Sequence, residues 1–218
     1  MSRTPLSPTT RSTIARKHDR AATDRAALDE VLDAGLICHL GFVSDGSPVV
    51  LPTGYGRDGD TLYLHGSSGA RSLRLGATGV PVCVTVTLVD GIVYARSAFH
   101  HSMNYRSAVV HGNAVPVTER AAKLHALEVI TEALAPGSWT HSRRPNPREL
   151  AATSVLAVDL AEASVKLRAG GPGDDEEDLA SHQVWAGVLP LRQVWGEPEP
   201  ADYVDLAIPA HIAERAVR

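Results

Sequence analysis

The 218-residue sequence has little cysteine and no long apolar run. Its two cysteines, Cys38 and Cys83, lie far apart in strand-like segments and form no CxxC pair. Thiols in such segments are typically buried and free, which suits a reducing compartment. No window approaches the roughly 18 apolar residues of a membrane-spanning helix, and no apolar signal core follows the basic N-terminus. We therefore expect a cytoplasmic protein that has no membrane partner.

A surplus of positive charge is also missing. The chain has 21 Lys and Arg residues against 25 Asp and Glu residues, which gives a formal net charge of -4. General binding to nucleic acid requires a basic face across the domain. The composition argues against a nucleic-acid partner and leaves a small anionic ligand open.

The sequence lacks the common catalytic and metal-binding motifs. It has no GxSxG elbow and no HExxH pair, and its ten histidines follow no Cys2His2 spacing. His100 and His101 are adjacent, so on a strand they would point to opposite faces. We predict no protein metal site. A single axial histidine to haem stays open, with His65 or His101 as the first candidates.

The segment GYGRDG at residues 54–59 matches the GxGxxG pattern. A dinucleotide fingerprint must follow a strand and open a helix, whereas here the next residues, DTLYLHG, continue as a strand. We interpret the match as turn chemistry.

Three Asp-Gly pairs, at residues 45–46, 58–59 and 90–91, each lie between strand-like segments. Asp-Gly favours two-residue hairpin turns, in which both central residues adopt positive φ. The first half of the chain is therefore predicted to be antiparallel sheet. With six or more strands and few helices, a small barrel is the expected architecture, because closure removes exposed sheet edges.

The predicted domain spans residues 23–195 and lies between two flanks. Residues 1–22 are poor in apolar side chains and are predicted to form a flexible arm. Residues 170–178, GGPGDDEED, are predicted to form a flexible acidic loop, and residues 196–218 a tail with a short helix after Pro209. The apolar segment before the tail, HQVWAGVLPLRQVW, is expected to pack back onto the sheet.

Apolar spacing and caps predict the helices. The first begins at Thr23, buries Leu28, Val31 and Leu32, and stops at Gly35. A second begins near Thr118 with Glu119 and Lys123 paired at i,i+4. A third begins at the Asn146-Pro147 cap, before a strand over about residues 154–167.

Residues 66–79, GSSGARSLRLGATG, predict one short helix begun by Ser67 or Ser68. A helix N-terminus offers unpaired N–H groups to an anion, and Arg71 and Arg74 add positive charge. An ordinary capped helix with solvated arginines is the alternative.

The segment Tyr94–Gly112, YARSAFHHSMNYRSAVVHG, carries more polar chemistry than a hairpin requires. Between its strand-like ends, residues 96–106 hold two histidines, two serines, an asparagine, a tyrosine and two arginines. A hairpin that only folds needs turn residues and one apolar face. The segment is therefore a candidate binding site.

Four stretches, taken in order, carry a family resemblance: LPTGY (51–55), LYLHGSSGARSLR (62–74), RSAFHHSMNYRSAVVHG (96–112) and VWAGVLPL (184–191). Together they resemble the flavin-nucleotide-binding branch of the pyridoxamine 5'-phosphate oxidase-like superfamily, which includes the nitroimidazole-resistance proteins. The resemblance implies a mainly β fold, a six-stranded antiparallel Greek-key split barrel. It also implies a homodimer that holds FMN in a groove at the subunit interface.

The resemblance implies flavin contacts in four places. The strand over 51–55 would lie along the isoalloxazine ring and contact it mainly through its backbone. Residues 65–74 would surround the phosphate, and residues 102–107 and Trp185 would complete the pocket. The implied cofactor-binding residues are Pro52, Thr53, Gly54, Tyr55, His65, Ser67, Ser68, Gly69, Arg71, Arg74, Ser102, Asn104, Tyr105, Arg106, Ser107 and Trp185.

The expected function is that of an FMN-dependent oxidoreductase. It would pass hydride or electrons from a transient NAD(P)H donor to a small planar acceptor of the nitro-aromatic or quinone type, with His101 or Tyr105 as proton donor. The C-terminal Arg-x-His of true pyridoxamine phosphate oxidases is not visible, so vitamin B6 oxidation is not predicted. The alternatives are a flavin-binding protein without turnover, a haem-binding split barrel, and F420 in place of FMN.

Overall fold

The computed structural model of the chain describes residues 5–69, 79–181 and 183–216, which form a curled antiparallel sheet flanked by helices. The strands are β1 (Ile37–Ser44), β2 (Ser47–Asp58), β3 (Thr61–Ser67), β4 (Pro81–Tyr94), β5 (Ser102–Asn113), β6 (Val115–Pro116), β7 (Thr153–Asp159), β8 (Ala163–Arg168) and β9 (Gly187–Pro190). The helices are α1 (Arg25–Ala34), α2 (Arg120–Leu134), α3 (Ser138–His141), α4 (Pro147–Ala152), α5 (Glu176–Ser181) and α6 (Ala210–Ala216), with 3-10 turns at His18–Arg20 and Ala98–His100.

The strand order is β6-β7-β3-β2-β1-β4-β5-β8, and β9 pairs with the end of β4. Strand β2 joins the two halves of the barrel, because residues 47–54 pair with β1 and residues 55–58 pair with β3. The predicted mainly β split barrel is confirmed. The part of the chain described here contains nine strands, three more than the six implied by the resemblance.

Two hairpins have the predicted Asp-Gly sequence but differ in their turns. Asp45 and Gly46 occupy the first turn, and both have positive φ, at 51° and 75°. In the second hairpin Asp58 pairs with Thr61, so the central residues are Gly59 and Asp60. The GxGxxG match ends in this second turn and opens no helix, as predicted.

The predicted third hairpin, at Asp90-Gly91, is wrong. Strand β4 runs through both residues, and the register with β5 shifts between Val89 and Gly91, which marks a β-bulge. A Cβ on Gly91 would lie 2.9 Å from the Leu189 carbonyl oxygen. Glycine is therefore needed there because β9 approaches closely, and not because the chain reverses.

The helices follow the predicted apolar spacing, but some of their ends differ. Leu28, Val31 and Leu32 of α1 are buried, and Asp24 caps the helix in place of Thr23. The capping box at Asn146 and Glu149 is confirmed. The predicted strand over residues 154–167 is two strands, β7 and β8, which lie apart in the sheet.

The predicted ion pair between Glu119 and Lys123 is wrong. Helix α2 begins at Arg120, so Glu119 is its N-cap residue, and the Glu119 carboxylate accepts from the Ala122 amide. Lys123 donates from Nζ to the Leu150 carbonyl oxygen at 2.8 Å and so joins α2 to α4.

The N-terminal arm packs along β8, more closely than its composition indicated. Leu6 and Ser12 are buried, Ser7 donates its amide to the Ala163 carbonyl oxygen, and Arg11 pairs with Glu162 at 2.6 Å. The predicted helix after Pro209 is α6.

Two apolar clusters hold these elements together. The larger lies inside the barrel under α1, and the smaller joins α2 to β7 through Ala126, Leu127 and Val155. Cys38 is a free thiol in the larger cluster, and burial raises its pKa to about 12. Among the described residues, no helix has the length and apolarity needed to cross a membrane.

Candidate functional site

The candidate residues on β2 divide between the two faces of the strand. Pro52 is exposed, whereas Thr53 and Gly54 are half-buried, and all three lie on the half of β2 that pairs with β1. The register with β1 places Pro52 opposite His39 and Gly54 opposite Ile37, on the outward face, and Thr53 opposite the buried Cys38.

The Tyr55 side chain is a core group, so only its backbone is placed to make the predicted flavin contact. Only 2% of Tyr55 is exposed, and its hydroxyl donates to the carbonyl oxygen of Leu32 in α1. Burial raises its pKa, so the phenol stays protonated. Tyr55 can offer its backbone to a ligand, but its ring anchors α1 to the barrel.

His65 has an unusual buried nitrogen. Its Nδ1 is buried and has no hydrogen-bond partner within the described ranges. The same burial lowers the pKa of His65, so the imidazole is neutral at physiological pH. A buried imidazole nitrogen without a partner carries a free-energy cost, and such a site favours a further group that satisfies it.

The predicted phosphate cradle is described only at its start. Ser67 ends β3, and its hydroxyl oxygen accepts from the Gly69 amide at 3.2 Å. Ser68 donates its amide to the Ala152 carbonyl oxygen at 2.9 Å. Arg71 and Arg74 lie outside the described residues, and so does most of the predicted helix.

The candidates on β5 point to two different faces. Ala108 and Val110 are buried in the barrel core, so strand alternation places Asn104 and Arg106 on their side. Tyr105 and Ser107 then face outward, and the Ser107 hydroxyl donates to the Lys166 carbonyl oxygen at 3.4 Å. The side chains of residues 102–107 therefore lie on both faces of the sheet.

Arg106 is committed to an ion pair inside the same sheet. Its guanidinium donates to both carboxylate oxygens of Asp90, with Nε–Oδ2 at 3.0 Å and Nη2–Oδ1 at 2.8 Å. The pKa of Arg106 is raised by this bonding. Asn104 is committed in a similar way, since its Oδ1 accepts from Arg168 and from the Gly170 amide. Arg106 therefore ties β5 to the bulged part of β4, and Asn104 ties β5 to the end of β8.

Tyr94 brings two candidate residues together, and the sequence interpretation did not single it out. Its ring centroid lies 5.7 Å from that of His101 and 5.9 Å from that of Trp185. Trp185 is 69% exposed, so its ring lines an open surface and does not plug the barrel. The signal was the strand end at Tyr94, but the pairing of β9 with β4 is a long-range contact that no local motif encodes.

The hydrogen bonding of His101 fixes its tautomer. Its Nδ1 accepts from the Ala95 amide at 3.1 Å, so the neutral ring carries its proton on Nε2. His101 therefore presents an N–H donor and has no lone pair on Nε2 for a metal. His100 and His101 do not alternate on a strand as expected, because His100 ends a 3-10 turn and its Nε2 lies 3.0 Å from Asp175.

The candidates form two groups in one chain. The first comprises the β2 strand and the β3 end at His65, and the second comprises the β5 strand with Tyr94 and Trp185. Strands β1 and β4 separate β2 from β5 in the sheet. Three strand spacings of about 4.8 Å therefore separate β2 from β5, roughly 14 Å measured along the sheet.

Comparison with known proteins gives a family and two full-length likenesses. Residues 24–167 match the family model described as pyridoxamine 5'-phosphate oxidase. The flavocytochrome Anf3 from Azotobacter vinelandii is 38% identical, with a TM-score of 0.90, and the match covers 97% of this chain and 99% of that one. No curated protein matches the chain.

The FAD and heme binding protein from Mycobacterium smegmatis is also 38% identical, with a TM-score of 0.86 and coverage of 90% of this chain and 97% of that one. A 5-nitroimidazole antibiotic resistance protein from Bacteroides thetaiotaomicron is 22% identical, with a TM-score of 0.58, and the match covers 67% of this chain and 85% of that one. The last likeness supports the fold alone.

Proposed function

Because this chain belongs to the pyridoxamine 5'-phosphate oxidase family, we propose that it is a redox protein that binds both a flavin and a haem. The observation that carries the proposal is the extent of two likenesses. The family model ends at residue 167, whereas the matches to the flavocytochrome and to the FAD and heme binding protein cover 97% and 90% of the chain. Both matches therefore extend well beyond the residues of the family model.

The flavin in this proposal lies between two copies of the chain. The outward face of β1 and β2 exposes Ile37, Val43 and Val50 by 55%, 58% and 64%. Three apolar side chains exposed on one sheet face favour a protein interface. Since β2 and β5 stand apart within one chain, a homodimer would close the groove by supplying one group from each copy.

The dimer proposal is tested with Val43→Asp combined with Val50→Asp. The buried charges should prevent association, so we expect a monomer by light scattering and a matching loss of flavin. Val115→Asp is the matched control, because Val115 is an equally exposed strand valine on β6. A wild-type monomer that retains flavin would contradict a shared groove.

His65 is the described histidine that best fits a haem. A haem ligand must be a neutral imidazole with a free nitrogen, and His65 is kept neutral by burial and has an unpartnered Nδ1. His101 does not fit, because the Ala95 amide occupies its Nδ1 and the proton lies on Nε2. Of the two haem candidates that the sequence left open, these observations support His65.

The ligand assignment is tested by absorbance of the purified variants. His65→Ala should lower the haem Soret band per chain and shift its position, whereas His101→Ala should leave the band unchanged. Far-UV circular dichroism serves as the control for folding, because His65 is also a candidate flavin contact. A Soret band that survives His65→Ala and disappears in His101→Ala would overturn the assignment.

A bound flavin supplies hydride and single-electron transfer, and a bound haem supplies one-electron chemistry. The chain would supply orientation and protons. His101 presents its Nε2–H beside Tyr94 and Trp185, so it would orient a bound ligand by donating a hydrogen bond. Tyr105, on the outward face of β5, would then be the proton donor of the two candidates. A nicotinamide donor would dock transiently at this open aromatic surface.

Turnover is tested by adding NADPH or NADH without oxygen. Bleaching of the flavin band, followed by reoxidation with a quinone or a nitro-aromatic compound, is the expected result. A flavin that stays oxidised with both donors would contradict a nicotinamide-dependent oxidoreductase and favour a binding protein without turnover.

A further inference from the structure

A cavity of about 610 Å³ lies between the N-terminal arm, strand β8 and the connection from β4 to β5. We call it the arm cavity. Five cationic side chains line it, and its lining includes no carboxylate. The lining residues are Arg16, Lys17, Arg20, Phe99, His100, His101, Ser102, Lys166, Arg168 and Gly173. This concentration of positive charge is local, since the whole chain has a net charge of -4.

The cations of the arm cavity have neutral partners or none. Arg168 donates from Nη2 to the Gly171 carbonyl oxygen at 3.0 Å and from Nη1 to the Gly170 carbonyl oxygen at 3.2 Å. Lys166 donates from Nζ to the Arg16 carbonyl oxygen at 3.0 Å. The Arg16 and Lys17 side chains form no ion pair with any described residue. Like charges gathered in one cavity repel each other, and a bound anion relieves that repulsion.

The arm holds its cations in place against the barrel. Ala21 forms a β-bridge with Lys166, and Ala22 donates its amide to the Val165 carbonyl oxygen at 3.0 Å. Lys17 precedes the 3-10 turn with φ 55° and ψ 50°. The cations are therefore positioned by the fold before any ligand arrives, which lowers the entropic cost of binding.

The arm cavity also offers an aromatic surface. Phe99 is 89% exposed, and its ring meets His100 edge to face with centroids 5.2 Å apart. An exposed ring beside a group of cations suits a ligand that joins phosphates to a planar base, because the base stacks on the ring while the phosphates meet the charges. The cavity volume lies within the range of small-molecule sites.

We propose that the arm cavity binds the adenosine diphosphate part of an adenine nucleotide. The cationic side chains would hold the diphosphate, and Phe99 would stack on the adenine. Two nucleotides carry this group, namely a resident FAD and a transient NAD(P)H. Only the choice between them rests on the proposed function, since binding of the diphosphate follows from the cavity itself.

The experiment compares two double variants of the full chain. The arm variant, Arg16→Ala with Lys17→Ala, removes two exposed cations that have no described partner, so the fold should survive. Arg120→Ala with Arg148→Ala removes two exposed cations elsewhere and is the matched control. Calorimetry with ADP, AMP and adenosine, together with identification of the flavin released on denaturation, gives the readouts.

Two results would support the proposal and separate its sources. For a transient donor, the arm variant should bind ADP at least tenfold more weakly than the control, with a smaller loss for AMP and none for adenosine. For a resident FAD, the wild type should take up no ADP, and the flavin released by the arm variant should shift from FAD to FMN. Phe99→Ala should weaken ADP and adenosine by the same factor in the first case.

Equal behaviour of the arm and control variants in both readouts would overturn the proposal. So would a wild type that neither binds ADP nor contains FAD. A protein that contains no flavin and no haem but binds ADP through Arg16 and Lys17 would contradict the proposed function while leaving the arm cavity assignment intact.

Discussion

The barrel and its flanking arm differ in how they use their charged residues. In the barrel, Arg57 donates to the Asp33 carboxylate at 2.5 and 2.8 Å, and Arg106 holds Asp90 with both ends of its guanidinium. In the arm, Arg11 pairs with Glu162, but Arg16 and Lys17 line a cavity without a carboxylate. Paired charges fix the geometry of the sheet, whereas unpaired charges gathered in one place remain available to a ligand. Changes in the barrel should therefore alter stability, and changes in the arm should alter binding.

The largest effect on stability is expected at Gly56. A Cβ at this position would lie 2.7 Å from the Val129 carbonyl oxygen and 2.8 Å from the Ile130 backbone. Backbone atoms of α2 move only at a cost, so Gly56→Ala should lower the free energy of unfolding by about 2–3 kcal/mol. Urea denaturation of the variant and the wild type measures this loss. Gly170→Ala, where a Cβ would meet nothing within 4 Å, should change little.

Tyr55→Phe should have the next largest effect. It removes the bond to the Leu32 carbonyl oxygen and leaves that acceptor without its donor, at a cost of about 1–2 kcal/mol. Flavin affinity should not change, because the hydroxyl faces the core. Weaker flavin binding without a loss of stability would mean that the Tyr55 hydroxyl contacts the flavin and does not stabilise the fold.

Much of the fold was predictable because its signals are local. The turn at Asp45-Gly46 follows from two adjacent residues that tolerate positive φ, and the Asn146 capping box follows from a four-residue pattern. The same dipeptide at Asp90 gave a wrong hairpin prediction. Its conformation depends on β9, which lies about a hundred residues later in the sequence and packs against Gly91.

The candidate site was less predictable for the same reason. A strand motif shows which residues alternate but not which face meets the core, so neither the burial of the Tyr55 ring nor the pairing of Arg106 with Asp90 could be predicted. The surroundings of Tyr94 depend on the pairing of β9 with β4, and those of the arm cations depend on the packing of the arm against β8. Neither contact leaves a pattern in nearby residues.

Arg106→Gln should cost about 0.5 kcal/mol, because its pair with Asp90 is partly solvated and such pairs contribute little. The double arm variant Arg16→Ala with Lys17→Ala should not lower the melting temperature. Thermal unfolding of both measures the contrast directly. An arm variant less stable than Arg106→Gln would mean that the arm cations are structural.

The smallest expected effect is a pH dependence from His65. Burial lowers the pKa of His65 in the folded chain below its ordinary 6.5, so the unfolded chain binds the proton more readily. Stability should therefore be fully present above about pH 6.5 and should fall as the pH drops below it. His65→Gln should flatten that slope in denaturation curves between pH 7 and pH 5. An unchanged slope would mean that the pH dependence of stability comes from a group other than His65.

The absorbance spectrum of the purified chain, with its cofactors extracted and counted, tests the central claim most directly. The account predicts flavin bands and a haem Soret band in the same preparation, with both cofactors present in amounts comparable to the protein. A preparation that contains flavin but takes up no haem when haem is supplied, or haem but no flavin, would contradict it.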